Sequence, residues 1–337
     1  MFIEKNKSLR NYNTFGIDVT ARAFVSVESL EDLRTILKDY TPDEVFILGG
    51  GSNMLLTAPI DKLVVHINLK GIEVLSRTED EVILEIQAGE NWHELVMYCI
   101  ENDFGGIENL SLIPGNTGTA PIQNIGAYGV ELEDVFESCT AIECTTGVLR
   151  SFSREECKFG YRNSIFKDEA KDQYIITSVM LRLTSKNHKI NSSYGAISDV
   201  LAKRNIENPT IKDISEAVIS IRRSKLPDPA EIGNSGSFFK NPVLSSEEFK
   251  KFRSKNPEAP YYEVSATQFK IPAGWLIDQA GFKGKRYGDA GIHKHQALVL
   301  VNHGNASGSE IWNLALKIQK KVKEDFGIYI EPEVNVI

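Results

Sequence analysis

At 337 residues the chain can bury a substantial core but is long for one domain, so two or three domains are expected. A hydrophobic content of 42% with 25% charged residues is that of a water-soluble globular protein, and a net charge of -8 without any basic block argues against nucleic acid as a partner. No run of eighteen apolar residues occurs and the opening MFIEKNKSLRNYNTFGID has no apolar signal core, so neither membrane insertion nor secretion is expected, and the cytoplasm is the expected location.

In chain order, ARAFVSV (21–27) reads as a strand and Ser29 as the cap of a helix over Leu30 to Asp39, with Leu30, Leu33, Ile36 and Leu37 on one face. Val45 to Leu48 is a buried strand running into Gly49-Gly50-Gly51-Ser52-Asn53, a turn type whose free N–H groups suit an anion. Neither common phosphate motif is present. Met54 stands where a dinucleotide fingerprint needs its third glycine, and no lysine and hydroxyl follow as in a P-loop. By itself GGGSN is equally compatible with a plain tight turn. Leu63 to Ile67 and Val82 to Ala88 read as strands, and Trp92 to Glu101 as a helix.

Residues 105–129, GGIENLSLIPGNTGTAPIQNIGAYG, are long for a connection, rich in glycine and free of lysine, arginine and aspartate. They read neither as a helix nor as a solvated linker. Leu110, Leu112, Ile113, Ile122, Ile125 and Tyr128 tie the stretch to a core, while Asn116, Thr117, Thr119, Gln123 and Asn124 offer short donors and acceptors. An ordered loop packed on its own side chains and a cradle for a flat polar molecule both fit.

Further on, Cys139 to Cys144 and Val148 to Phe152 form a hairpin, FGYRNSIFK (159–167) an aromatic and basic loop, and Tyr174 to Leu183 a strand. A domain boundary is expected near 184 to 230, with an amphipathic helix over Ile211 to Arg223 stopped by LPDP. Ser237, in NSGSFFKNP, reads by composition as a turn serine and lacks the G-x-S-x-G elbow of a hydrolase. Helices are expected over Glu247 to Lys255, Ala273 to Ala280 and Ser309 to Phe326, a loop at Tyr261-Tyr262, a strand over Gln296 to Val301, and a terminal strand over Ile328 to Val336 with Pro332 marking an edge. His293 and His295 invite a metal reading that the lack of a third spaced ligand argues against. The four cysteines have no C-x-x-C spacing and are expected to be reduced and buried, so no metal is expected.

Taken together, GGGSN, SLIPG, APIQNIGAYGVE, FGYRNSIFK, RRSKLPDP, GSFFKNP, AGWLIDQAGFKG, HQALVLVN and EPEV, in this order, resemble the UDP-N-acetylenolpyruvoylglucosamine reductase family of bacterial cell-wall synthesis. The resemblance runs from about Asn11 to the C-terminus. It implies an α+β fold: an FAD-binding module of the vanillyl-alcohol-oxidase/PCMH type in two subdomains (1–68 and 69–218), a third α/β substrate-binding domain (219–326), and a C-terminal strand (327–337) carrying a catalytic glutamate.

By the same resemblance, noncovalent FAD meets Gly49, Gly50, Gly51, Ser52 and Asn53 at its pyrophosphate and Pro114, Gly115, Thr119, Gln123, Asn124, Gly126 and Ala127 at its flavin, with Arg222 nearby. The Asn116-Thr117 pair departs from what family members often carry. NADPH is the implied reductant and UDP-N-acetylglucosamine enolpyruvate the substrate. Arg162, Ser237 and Glu333 would be catalytic, with Ser237 protonating the α-carbon; Glu333 is preferred to Glu331 on the E-P-E-V match. Tyr128, Arg162, Tyr194, Lys225, Asn241, Tyr262, Lys283 and Gln296 would contact substrate, and Tyr194 and the Tyr262 loop imply the type I branch. A monomer is expected. The rivals are another oxidoreductase on the same flavin fold, which would not need Ser237, Arg162, Glu333 and a nucleotide site together, and a nonreducing UDP-sugar sensor, which would be expected to lose the acid or the flavin contacts.

Overall fold

In a computed structural model that describes all residues, Met1–Ile337, the strands of the N-terminal part assemble in the order Glu4–Ser8, Thr20–Val27, Ile60–Ile67, Val45–Leu48, and the last two pairings are parallel. Parallel neighbours need crossovers, and the Leu30–Asp39 helix supplies one. Its Ser29 hydroxyl accepts from the Asp32 N–H, and Leu33, Ile36 and Leu37 bury against Val25, Val27, Val45, Leu63 and Val65.

A second sheet is antiparallel wherever its pairings are defined, in the order Leu149–Ser153, Phe136–Glu143, Tyr174–Thr184, Glu81–Gln87, Ile72–Arg77. Its central strand, Tyr174–Thr184, is buried along most of its length, as a middle strand covered on its faces must be. The Trp92–Glu101 helix, capped by Asn91, packs Trp92, Leu95, Val96 and Cys99 into this core. A smaller cluster forms where the helices Gly195–Lys203 and Ile211–Lys225 bring Ile197, Leu201, Ile214, Val218 and Ile221 together.

The chain forms two compact units, each discontinuous in sequence. The first comprises Met1–Lys7, Ala21–Gly50 and Ile60–Arg222; the second comprises Ser8–Thr20, Gly51–Pro59 and Arg223–Ile337. The second unit holds a three-stranded sheet (Arg286–Tyr287, Ala290–Ile292, Leu300–Asn302), the helices Ser246–Lys255, Ala273–Gln279 and Gly308–Phe326, and a small sheet ordered Val243–Ser245, Gln268–Lys270, Tyr262–Ser265. Ser307 and Glu310 form a reciprocal capping box on the long helix, as Ser245 and Glu248 do on the first.

Three sequence expectations are corrected. The strand expected over 296–301 shrinks to Leu300–Asn302, because the Gln296 carbonyl accepts from Val299 N–H in a turn. Of 328–336 only Asn335–Val336 is a strand, parallel to Met54–Leu55; Pro332 has no N–H to extend a ladder. Tyr262 opens a strand instead of lying in a loop. All four cysteines are free and buried.

Glu108 is buried, its Oε2 accepting from Gly106 N–H at 2.6 Å, and burial pushes its pKa above the ordinary carboxylate value. A raised folded-state pKa contributes stability below the unfolded value of 4.5 that is lost as pH rises through the folded value. Glu108→Gln keeps an acceptor and removes the charge. Denaturant unfolding should therefore show the variant gaining on the wild type as pH rises above 4.5, by about 1 kcal/mol for each pH unit until the folded carboxyl ionises; a pH-independent difference would contradict this.

Candidate active site

Within the first unit the stretch 105–129 is pinned from several sides. Trp92 Nε1 donates to Leu110 O at 3.1 Å, Trp92 N to Gly115 O at 3.0 Å, Thr117 N to Glu90 O at 2.8 Å and Gly118 N to Ala88 O at 2.9 Å. The glycine turn ending the Val45–Leu48 strand packs directly on this stretch. A Cβ on Gly49 would stand 2.6 Å from Thr119 Cγ2, and one on Gly50 would stand 2.8 Å from Asn116 Oδ1 and 2.9 Å from Gly115 Cα. Gly50 is therefore required by close backbone approach, and Gly49 by the Thr119 side chain packed against it. The N–H groups of Gly50 and Gly115 are left without a backbone partner at this contact, which gives the cradle donors for an acceptor.

Two arginines close on the same stretch. Arg162, in a left-handed backbone conformation, donates from Nη2 to Gly126 O at 2.5 Å and from Nη1 to Asn124 O at 3.5 Å. Arg222, on the Ile211–Lys225 helix, donates from Nε to Leu112 O at 3.2 Å. Burial lowers its pKa from the arginine norm, opposed by the Tyr128 hydroxyl, to which it is hydrogen-bonded. Tyr128 in turn is raised by burial, and the Tyr194 ring meets it edge-on with centroids 5.3 Å apart. Seven of the expected residues in this unit (Gly49, Gly50, Gly115, Thr119, Gly126, Arg162, Arg222) thus fall into one contiguous arrangement with Tyr128 and Tyr194.

The Asn124 side chain does not take part as an open donor. It is fully buried, with Nδ2 on Glu131 Oε2 at 2.8 Å and Oδ1 accepting from Glu133 N at 3.1 Å. Its backbone is left-handed, and the amide fixes the loop. Sequence reasoning missed Asn109, Ser111 and His93, which hold the stretch through Tyr128 O, Ser215 Oγ and Leu112 N. Their signal, polar residues within an apolar run, was present but had no visible partner.

In the second unit, Ser237 is exposed at the start of a segment whose next residue is locked on both sides. Phe238 N donates to Leu298 O at 2.8 Å, and Phe238 O accepts from Glu333 N at 2.8 Å. The catalytic pair expected from sequence is therefore carried on backbone-paired neighbours. Glu333 O accepts from Asn53 Nδ2 at 3.3 Å, and Asn53 O accepts from Asn335 N at 3.1 Å. The two terminal glutamates differ: Glu331 is exposed and ion-paired to Lys240 at 3.4 Å, whereas Glu333 is half-buried.

Asn241 Oδ1 accepts from Ala273 N at 2.9 Å, at the start of the Ala273–Gln279 helix, and Lys283 pairs with Asp278 at 2.9 Å. Gln296 Oε1 accepts from Leu298 N at 3.4 Å. Tyr262 is exposed and stands opposite Lys270 in the small sheet, and Lys225 is exposed at the end of its helix. The His293 and His295 rings lie 5.6 Å apart.

Residues 21–152 match a family model described as an FAD binding domain, and residues 228–337 match the C-terminal domain of UDP-N-acetylenolpyruvoylglucosamine reductase. A 4-ethylphenol oxidase structure from Gulosibacter chungangensis superposes with a TM-score of 0.51 at 10% identity, covering 99% of this chain and 86% of that one. The chain is thus a flavoprotein of the vanillyl-alcohol-oxidase/PCMH fold class, with mixed helix and sheet. The crystal structure of UDP-N-acetylenolpyruvylglucosamine reductase from Thermus caldophilus superposes with a TM-score of 0.70 at 24% identity, covering 100% of this chain and 99% of that one. A curated UDP-N-acetylenolpyruvoylglucosamine reductase from Flavobacterium johnsoniae is 61% identical over the whole of both chains. The chain belongs to the UDP-N-acetylenolpyruvoylglucosamine reductase family.

The cradle built by Gly49, Gly50 and Gly115 fits a cofactor that needs main-chain donors at close range. Gly50→Ala would force a methyl into Asn116 and the Gly115 backbone, and overpacking of this kind costs about 1–3 kcal/mol. The variant should purify with less FAD and melt lower than the wild type; full yellow occupancy at unchanged Tm would show that the close approach is dispensable.

Proposed function

We propose that the chain reduces UDP-N-acetyl-3-O-(1-carboxyvinyl)glucosamine to UDP-N-acetylmuramate with NADPH, using noncovalent FAD, as a monomer of the type I branch acting in the cytoplasm on peptidoglycan precursors. What supports the substrate and the family chemistry is the identity to curated reductases along the full chain. No helix is long and apolar enough to cross a membrane. The division of the first unit into two flavin-binding subdomains is supported by its two separate sheets, whose packing meets where Ile142 and Ile175 of the second join the core under the first.

Bound FAD would supply the hydride relay between NADPH and the enolpyruvyl β-carbon. Gly49 to Asn53 are the proposed contacts to its pyrophosphate; Pro114, Gly115, Thr119, Gln123, Asn124, Gly126 and Ala127 are proposed to line its flavin, with Arg222 nearby. Adding hydride to the β-carbon places negative charge over the α-carbon and carboxylate, and that charge must be stabilised and then protonated. Arg162, whose guanidinium is already oriented by two loop carbonyls, is the proposed cation for the carboxylate. Glu333 assists the intermediate, and Ser237 delivers the proton to the α-carbon.

The observation that carries this assignment is the backbone pairing of Glu333 with Phe238, which seats the carboxyl and the exposed Ser237 hydroxyl on adjacent chain segments. A serine hydroxyl is a weak acid, so Lys225 and Asn241 are the groups proposed to polarise it or resupply its proton. Tyr128, Tyr194, Tyr262, Lys283 and Gln296 are the proposed contacts to the nucleotide. The exposure of Tyr262 on an edge strand suits a residue that swings onto a ligand.

Anaerobic mixing separates the two half-reactions. Ser237→Ala should bleach with NADPH at the wild-type rate, yet recolour with the enolpyruvyl nucleotide about 10²–10⁴ times more slowly, the range for loss of a positioned proton donor. Unimpaired recolouring would refute the serine's role. Tyr262→Phe should raise KM for the nucleotide and leave FAD content unchanged; loss of FAD would point to a structural role instead.

A further inference from the structure

Tyr128 and Gly129 are the two central residues of a hairpin in which Gly126–Ala127 pairs with Val130–Glu131, Ala127 facing Val130. Both are left-handed, with φ of +52° for Tyr128 and +81° for Gly129. A two-residue hairpin of this kind favours asparagine or glycine at its first central position, because a side chain with a Cβ is strained there. A tyrosine in that place persists only if its surroundings over-determine it, and such positions gather at functional sites.

The surroundings are two asparagines. Asn109 Nδ2 donates to Tyr128 O at 3.1 Å and to Asn191 O at 2.9 Å, while Asn191 Nδ2 donates to Gly129 O at 3.0 Å. Both partners of the Asn109 amide are carbonyl oxygens, so its nitrogen must face them and the amide orientation is settled. Asn109 is buried and its Oδ1 has no partner, so the side chain is retained at a desolvation cost for the sake of its two donors. Each carbonyl of the strained turn is thereby tied to the segment leading into Tyr194. Ser193 Oγ donates to Asn191 Oδ1 at 3.0 Å, and the Tyr194 ring then meets Tyr128 at an interplanar angle of 84°.

We propose that Asn109 and Asn191 are positioning residues for substrate binding: together they hold Tyr128 in its left-handed conformation and hold Tyr194 against it, so that the aromatic pair is formed before the nucleotide arrives. The proposal rests on the reading of Tyr128 and Tyr194 as substrate contacts. Preorganisation of this kind appears in affinity for the nucleotide and not in retention of FAD.

The test uses FAD-loaded full-length protein carrying Asn191→Ala, since Asn191 is only half-buried, with Asn109→Asp as the second variant. Asn191→Ala should raise KM for the enolpyruvyl nucleotide about fivefold, or ~1 kcal/mol at about 1.4 kcal/mol per factor of ten, and by more than it lowers kcat, at unchanged FAD content. Added to Tyr194→Ala, it should raise KM no further, because the two act as one unit. Hydrogen exchange at Gly129 and at 192–195 should quicken in the variant without any substrate present. An unchanged KM in a folded, yellow variant, or full additivity with Tyr194→Ala, would overturn the proposal. If the wild type itself failed to turn over the nucleotide, the substrate reading would fall. Unchanged exchange at the turn would then still reject the clamp, and faster exchange would retain it.

Discussion

A tight constraint in the first unit is the meeting of two glycine stretches that lie far apart in the chain. Gly49 and Gly50 approach Gly115, Asn116 and Thr119 so nearly that no Cβ fits between them. The approach is possible only because each stretch is held from behind, the first by a parallel strand and the second by hydrogen bonds to 88–92 and the buried Trp92 indole. Much of the functional arrangement in this unit follows from that contact. Arg162 and Arg222 each bind main-chain carbonyls of the 105–129 stretch, so their cationic ends are set by its path.

Buried polar groups specify that path. Asn124, Asn109, Ser111 and Glu108 each lie in or beside apolar surroundings and each bonds to main chain. An apolar loop of this length would pack in several ways of similar energy, whereas a buried amide with a single set of carbonyl partners admits one. The cost is desolvation, seen in the raised pKa of Glu108 and the partnerless Oδ1 of Asn109. The second unit solves the same problem by backbone pairing: the Ser237–Lys240 segment bonds to Leu298 on one side and to Glu331 and Glu333 on the other. In both units hydrogen-bonded main chain fixes the segments that carry the proposed site residues, as a site needing sub-ångström placement requires.

Much of this was legible in the residues. Periodicity and caps located the Leu30–Asp39 and Trp92–Glu101 helices, and continuous apolar runs located the strands at 45–48 and 174–184. The exposed strands Glu4–Ser8 and Ile72–Arg77 were not, because they lack the alternation that one buried face imposes. The 296–301 and 328–336 segments misled for the opposite reason. They are apolar enough for strands, but a turn at Gln296 and the missing N–H of Pro332 cut their ladders down to Leu300–Asn302 and Asn335–Val336.

The residues by themselves determined the family and the set of chemically able side chains, because these depend on residue types in a fixed order. Which of those side chains are open to a ligand was decided by tertiary structure alone. Asn124 is consumed by Glu131 and Glu133, Glu331 is exposed and ion-paired while Glu333 is half-buried beside the Ser237 segment, and the strained turn at Tyr128 and Gly129 is held by asparagines 19 and 62 residues from the carbonyls they bind. Hydrogen-bond partners at such separations have no local signature; only the folded path of the main chain brings them within reach of one another.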